Sequence, residues 1–152
     1  MKKPIHALLA TLALALGMFA LALAPVMRAA EKGATPAVIS HGAKVTLTDN
    51  LVAGKITIFD FYSKYCPPCV RFSPLLDKLH AKRDDLAVVK VDINRAGIKG
   101  IDWKSPVAQQ YNLNSIPHIK IYGADGKLMA EGDKARSMAL KWLGAIGENS
   151  SN

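Results

Sequence analysis

Cys66 and Cys69 are the only cysteines in this 152-residue chain, and they stand two residues apart in the stretch Asp60-Phe-Tyr-Ser-Lys-Tyr-Cys66-Pro-Pro-Cys69. Two thiols at that spacing can exchange with a disulfide on another molecule, one sulfur attacking and the other resolving. Other uses of the pair fit less well. A two-residue loop removes little unfolded-state entropy, so a purely structural disulfide gains little there. A structural zinc site needs four ligands, and no second Cys-x-x-Cys exists. His41, His80 and His118 could complete a metal site only at spacings unlike those of zinc fingers. Haem attachment needs a histidine directly after the second cysteine, where this chain has Val70.

Redox chemistry asks for a strand that delivers the first cysteine to the opening turn of a helix. The partial positive charge and free N–H groups at that end favour thiolate over thiol. The pattern supplies both elements. Lys55 to Tyr62 is rich in β-branched and aromatic residues on both faces, which predicts a central strand covered on both sides. A helix is expected from Pro67 to about Arg83, with Pro67 tolerated in the first turn and Phe72, Leu75, Leu76 and Leu79 as the buried stripe. Pro74 should kink it. Leu86 to Val91 reads as a second buried strand, completing a right-handed βαβ unit. A loop from Arg95 to Lys104 leads to a short helix capped by Ser105-Pro106, ending at Tyr111. Ile116 to Tyr122 and Leu128 to Glu131 form a hairpin across Ala124-Asp-Gly-Lys127. Ala135, Met138, Ala139, Trp142, Leu143 and Ile146 line one face of a last helix. Lys44 to Leu47 is read as a further short strand.

Asp60 interrupts the best strand. A carboxylate there is costly unless paired, or else stays protonated with a raised pKa. Either it meets solvent near an edge, or it lies one layer below the cysteines and takes the proton of Cys69 during resolution. Lys90 interrupts the neighbouring strand, either balancing Asp60 or as an ordinary snorkelling lysine.

Residues 40–146 resemble a thioredoxin. The resemblance rests on Asp60-Phe61 six residues before the first cysteine, Cys66-Pro-Pro-Cys69, Pro74, Lys90, Ile116-Pro117 and Gly132, in that order. It implies an α/β thioredoxin-like fold with a mixed sheet of four or five strands flanked by helices. It further implies a cis peptide before Pro117 facing the cysteines, and Cys66, Cys69, Asp60 and Lys90 as catalytic residues. Substrate contacts would come from Tyr65, Pro67, Pro68 and the backbone around Ile116 and Pro117, by strand-like pairing. No cofactor beyond the Cys66–Cys69 disulfide is implied. The partners would be proteins bearing disulfides or thiols and an upstream electron donor. Departures from the family are Pro67 in place of glycine, Tyr65 in place of tryptophan, His118 where threonine is common, and a longer 95–104 loop. That loop either shapes a partner surface or is a neutral insertion. His118 is open between proton donation and packing.

Half the chain is hydrophobic, and much of that lies at the start. Lys2 and Lys3 precede an apolar run from Ile5 to Ala24, longer than the roughly 7–15 residues of a signal core and close to the roughly 17–25 that cross a bilayer. Residues 1–30 are therefore expected to be a signal peptide, cut after Ala24, Ala29 or Ala30, or a retained anchor. Either one exports the rest, to a periplasmic location, soluble or membrane-tethered. Residues 31–39 are expected as a linker, 40–147 as the thioredoxin-like domain and 148–152 as a disordered tail. The net charge is +8, and removing residues 1–30 leaves 17 basic against 12 acidic residues, +5. Those charges are scattered, which argues against nucleic acid as a partner. Pro67 and Pro68 remove two N–H groups from beside the Cys66 sulfur, which leaves the thiolate less stabilised and points to a reductase.

Overall fold

A computed structural model describes residues 30–149. Its elements are β1 (Ala37–Ile39), β2 (Ile56–Tyr62), α1 (Pro67–Lys82), β3 (Leu86–Asp92), α2 (Pro106–Gln110), β4 (His118–Tyr122), β5 (Leu128–Glu131) and α3 (Gly132–Asn149). They form one five-stranded sheet in the order β1-β3-β2-β4-β5. β1 and β2 run parallel to β3, while β2–β4 and β4–β5 are antiparallel, so the sheet is mixed.

β2 lies at the centre because both its faces are apolar. Ile58 joins Leu76, Leu79, Ile119, Ile121 and Ala139 in the core under α1 and α3. Phe59 and Phe61 join Val89, Val91, Val107 and Leu113 in a second core on the α2 side. Phe59 meets Tyr122 edge-on at 5.7 Å between ring centroids, and Phe61 meets Tyr111 at 5.0 Å. The sheet thus fixes where β2 ends and α1 begins, which is where the cysteines sit.

Four expectations need correction. Lys44 to Leu47 is not a strand: Leu47–Asn50 is a 3-10 turn. Gln110 satisfies Val45 instead, its side-chain amide accepting from Val45 N and donating to Val45 O, both at 3.0 Å. The supposed linker 31–39 contains β1, whose Ala37–Ile39 pair with Val89–Val91 at the sheet edge. The supposed tail 148–152 begins inside α3, which runs to Asn149. In α1 the buried stripe is rotated: Leu75 is 40% exposed, while polar Ser73 and His80 are buried beside Phe72, Leu76 and Leu79. The expected leader falls on residues 1–29, outside the described residues, apart from Ala30. Ala30 forms a parallel bridge with Val52. Among the described residues no helix is long and apolar enough to cross a membrane.

His80 explains its own burial. Its Nδ1 accepts from Val88 N at 3.0 Å, so Nε2 carries the hydrogen and donates to Gly33 O at 2.9 Å. Lys32 Nζ adds bonds to His80 O and Arg83 O, both at 2.7 Å, at the C-terminal end of α1, where a cation is favoured. The segment ahead of β1 is therefore clasped to the far end of α1. His80→Leu should destabilise the fold by about 2–3 kcal/mol, because the Val88 N–H and Gly33 C=O then lack their partner. Urea unfolding of the two proteins measures this, and an unchanged midpoint would overturn it.

Candidate active site

Cys66 is the N-cap of α1, with extended backbone, and Pro67 and Pro68 form the first turn. Proline suits those positions because their N–H groups have no intrahelical partner. Of the three residues after Cys66 only Cys69 keeps an N–H, and it donates to Cys66 Sγ at 3.2 Å. The two sulfurs are bonded to each other, with Cα atoms 5.2 Å apart. Both cysteines are buried, and Cys69 has no exposed surface at all.

The segment before β4 closes the site from the other side. The Ile116-Pro117 peptide is cis, as the resemblance implied, and Ile116 O lies 3.5 Å from Cys66 Sγ. Tyr65 is exposed beside them, with Lys64 Nζ 5.2 Å from its ring centroid. Ser63 Oγ accepts from Tyr65 N at 3.1 Å and holds the turn between β2 and α1. Tyr65, Pro67, Pro68, Ile116 and Pro117 therefore surround the disulfide.

Asp60 sits below, with no exposed surface. Ser73 Oγ donates to its Oδ2 at 2.7 Å, while Oδ1 is buried with no hydrogen-bond partner among the described residues. Burial pushes the Asp60 carboxyl up to about 6, against the opposing pull of the Ser73 hydroxyl and the Lys90 charge. Ser73 follows Cys69 by four residues, so the two share a face of α1, about 6 Å apart along the axis. The acid thus lies one helical turn beneath Cys69.

Lys90 pairs with Asp60 across the backbone register of β2 and β3, yet its ammonium goes elsewhere. Lys90 Nζ donates to Asp77 Oδ2 at 2.9 Å and lies 2.7 Å from Oδ1. Of the two readings open for Lys90, direct pairing with Asp60 is not what the structure shows: its ion pair is with Asp77, and it reaches Asp60 only through its charge, which Asp77 opposes. Ser73, the direct partner, was missed. Its signal was a lone hydroxyl one turn after Cys69 within an apolar stripe.

His118 is held by groups other than the cysteines. Its Nε2 is 3.0 Å from Glu131 Oε1, which also receives Lys120 Nζ at 2.8 Å, and its ring lies 5.9 Å from that of Phe61. This favours the packing role. Among the described residues no group of three or more His, Cys, Asp or Glu is placed to hold a metal ion.

Comparison with known proteins agrees with this arrangement. The family model described as thioredoxin matches residues 40–142. A thioredoxin from Chlamydia trachomatis is 31% identical over 90 residues, covering 59% of this chain and 74% of that one. A thioredoxin from Mycoplasmoides gallisepticum is 29% identical over 85 residues, covering 56% and 76%. Among solved structures, a point mutant of a thioredoxin from Halobacterium salinarum superposes with a TM-score of 0.49 at 20% identity, covering 67% of this chain and 80% of that one. The family match takes in the stretch that carries the bonded cysteines, the buried acid and the cis-proline. It spans well over half the residues, so the chain belongs to the thioredoxin family and is a thiol–disulfide oxidoreductase.

Proposed function

We propose that this protein reduces protein disulfides outside the cytoplasm, with Cys66 as nucleophile and Cys69 as resolving thiol. The carrying observation is that, among the described residues, one N–H reaches Cys66 Sγ, from Cys69 at 3.2 Å, in a first turn otherwise made of prolines. A thiolate with one direct donor is less stabilised than one with several. The reduced form is then less favoured and the couple more reducing.

The Cys66 thiolate attacks one sulfur of the substrate disulfide, forming a mixed disulfide and expelling one substrate thiolate. Cys69 gives its proton to Asp60 and attacks Cys66 Sγ, which breaks the mixed disulfide and expels the second thiolate. The substrate gains two electrons and the protein is left with the Cys66–Cys69 disulfide. Ile116 O, 3.5 Å from Cys66 Sγ, is placed for strand-like pairing with an extended substrate segment. A separate donor must then reduce the pair again.

Equilibration with glutathione buffers should give a potential nearer the roughly −270 mV of a reducing thioredoxin than the roughly −120 mV of a strong oxidant; a value near the latter sinks the proposed direction. Pro68→Ala restores an N–H beside Cys66 Sγ. A hydrogen bond to a charged group contributes about 1.5–3 kcal/mol, so the potential should rise by about 30–60 mV. No rise would show that the missing donors do not set it.

Export rests on Lys2, Lys3 and the apolar run from Ile5 to Ala24. Lys32 is bound at the end of α1 opposite Cys66, about 24 Å along the 16-residue helix, which suits a chain tethered ahead of residue 30 with its cysteines facing outward. Mass measurement of the mature N-terminus together with a topology reporter fusion tests this. A reporter active only in the cytoplasm would overturn it.

A further inference from the structure

A surface cavity of about 420 Å³ opens beside Tyr65, lined by His41, Lys64, Asp92, Arg95 and Lys99 among others. The 95–104 loop forms one wall and is internally braced. Arg95 Nε and Nη2 grip Asp102 at 2.7 and 3.0 Å, and Asn94 Nδ2 donates to Gly100 O at 2.6 Å. Gly42 packs directly on Arg95, where a Cβ would come within 2.5 Å of the arginine side chain. The wall is therefore pre-formed, which lowers the cost of binding against it.

The charges around the cavity do not cancel. Asp102 neutralises Arg95. Asp92 is the only acid in the lining; its Oδ1 accepts from Asn94 N at 2.9 Å, and its Oδ2 lies 3.7 Å from His41 Nδ1. Lys64 and Lys99 face that one carboxylate, neither within salt-bridge distance of a carboxylate among the described residues, so the lining keeps a net positive charge. Exposed Ile98 and Tyr65 supply an apolar rim.

The strand order β3-β2-β4 puts this cavity, beyond the end of β3, on one side of Cys66 and Ile116-Pro117 on the other. Lys64 and Tyr65, the two residues before Cys66, line the cavity, so a substrate segment paired with Ile116 that passes Cys66 comes alongside it within a few residues, at about 3.3 Å per residue. We infer that the 95–104 loop builds a substrate subsite that takes an acidic side chain two or three residues from the substrate's reacting cysteine. The inference rests on the proposed substrate-binding side of the site and is independent of the direction of electron flow.

Two fluorescein-labelled decapeptides test it, identical except for Glu or Lys at the second and third positions on both sides of a serine that replaces the cysteine. The oxidised protein should bind the Glu peptide about fourfold more tightly at low salt, with the gap closing in about 0.5 M NaCl. Lys99→Glu should abolish or reverse the preference. Lys141→Glu, on α3 across the sheet, changes the net charge equally and should preserve it. Equal affinities in the unaltered protein, or equal effects of the two variants, overturn the subsite. Reduction of neutral hydroxyethyl disulfide reads the redox chemistry separately, so the two proposals fail independently.

Discussion

Cys69→Ala protein should accumulate as covalent mixed disulfides with its substrates, whereas Cys66→Ala should show no exchange above the uncatalysed rate. Cys66 is the sulfur that faces Ile116 O and sits at the positive end of α1, where a thiolate is favoured. Cys69 has no exposed surface and is placed to reach only Cys66. Removing Cys69 therefore leaves the first bond-forming step intact and deletes the second. Non-reducing electrophoresis and intact mass of the trapped adducts measure the outcome. Retained exchange in Cys66→Ala, or adducts formed through Cys69, would falsify the assignment. The adducts would also name the client proteins directly.

The parts of the fold legible in sequence are those whose side chains face one apolar environment over several residues. β2 announces itself because Ile56 to Tyr62 are nearly all β-branched or aromatic, and α1 starts where Cys66-Pro67 says it should. β1 gives no such signal: three residues at an exposed edge carry almost no pattern, and partnership with β3 alone makes them a strand. The stretch read as Lys44 to Leu47 shows the converse: it turns at Leu47, and the would-be strand partner of Val45 is a glutamine side chain. Side-chain mimicry of a ladder leaves no periodicity to read.

The same limit explains the site. Cys66, Cys69, Asp60 and Ile116-Pro117 could be named from residue types and order, because each is chemically odd where it stands. Their supporting partners are ordinary residues made important by rotation. α1 turns so that Ser73 and His80, not Leu75, face inward, because buried Asp60 needs a donor and the Val88 N–H and Gly33 C=O need partners. Hydrophobic periodicity counts a buried serine or histidine as surface, so it misplaced the stripe by one position. The partner of Lys90 was lost for the same reason: Asp77 lies on α1 one turn after Ser73 and becomes visible only once the helix is docked on β3.

Asp60→Asn should make the protein more stable and less active at once. The carboxyl is raised from 3.8 to about 6, chiefly by burial, which corresponds to about 3 kcal/mol. Below pH about 4 the group is protonated in both folded and unfolded chains, so the substitution should change stability little. Between pH about 4 and about 6 the unfolded chain has released the proton that the folded chain still holds, so the stability of the unaltered protein falls across that window and levels off above it, while that of the asparagine variant does not. Urea unfolding at pH 4 and pH 8 should therefore show the gain only at pH 8. Exchange should move the opposite way, dropping about 100-fold because the proton of Cys69 has lost its acceptor. In the unaltered protein the resolution step should fade below pH about 6. Ser73→Ala removes the hydroxyl that favours the carboxylate, so the midpoint of that pH profile should move upward; Ser73→Thr keeps the hydroxyl and should restore it. A serine that merely packed the helix would lower the rate equally at every pH. An unmoved midpoint in Ser73→Ala would therefore separate this hydroxyl from the chemistry, and a pH-independent gain in Asp60→Asn would remove the buried proton acceptor altogether.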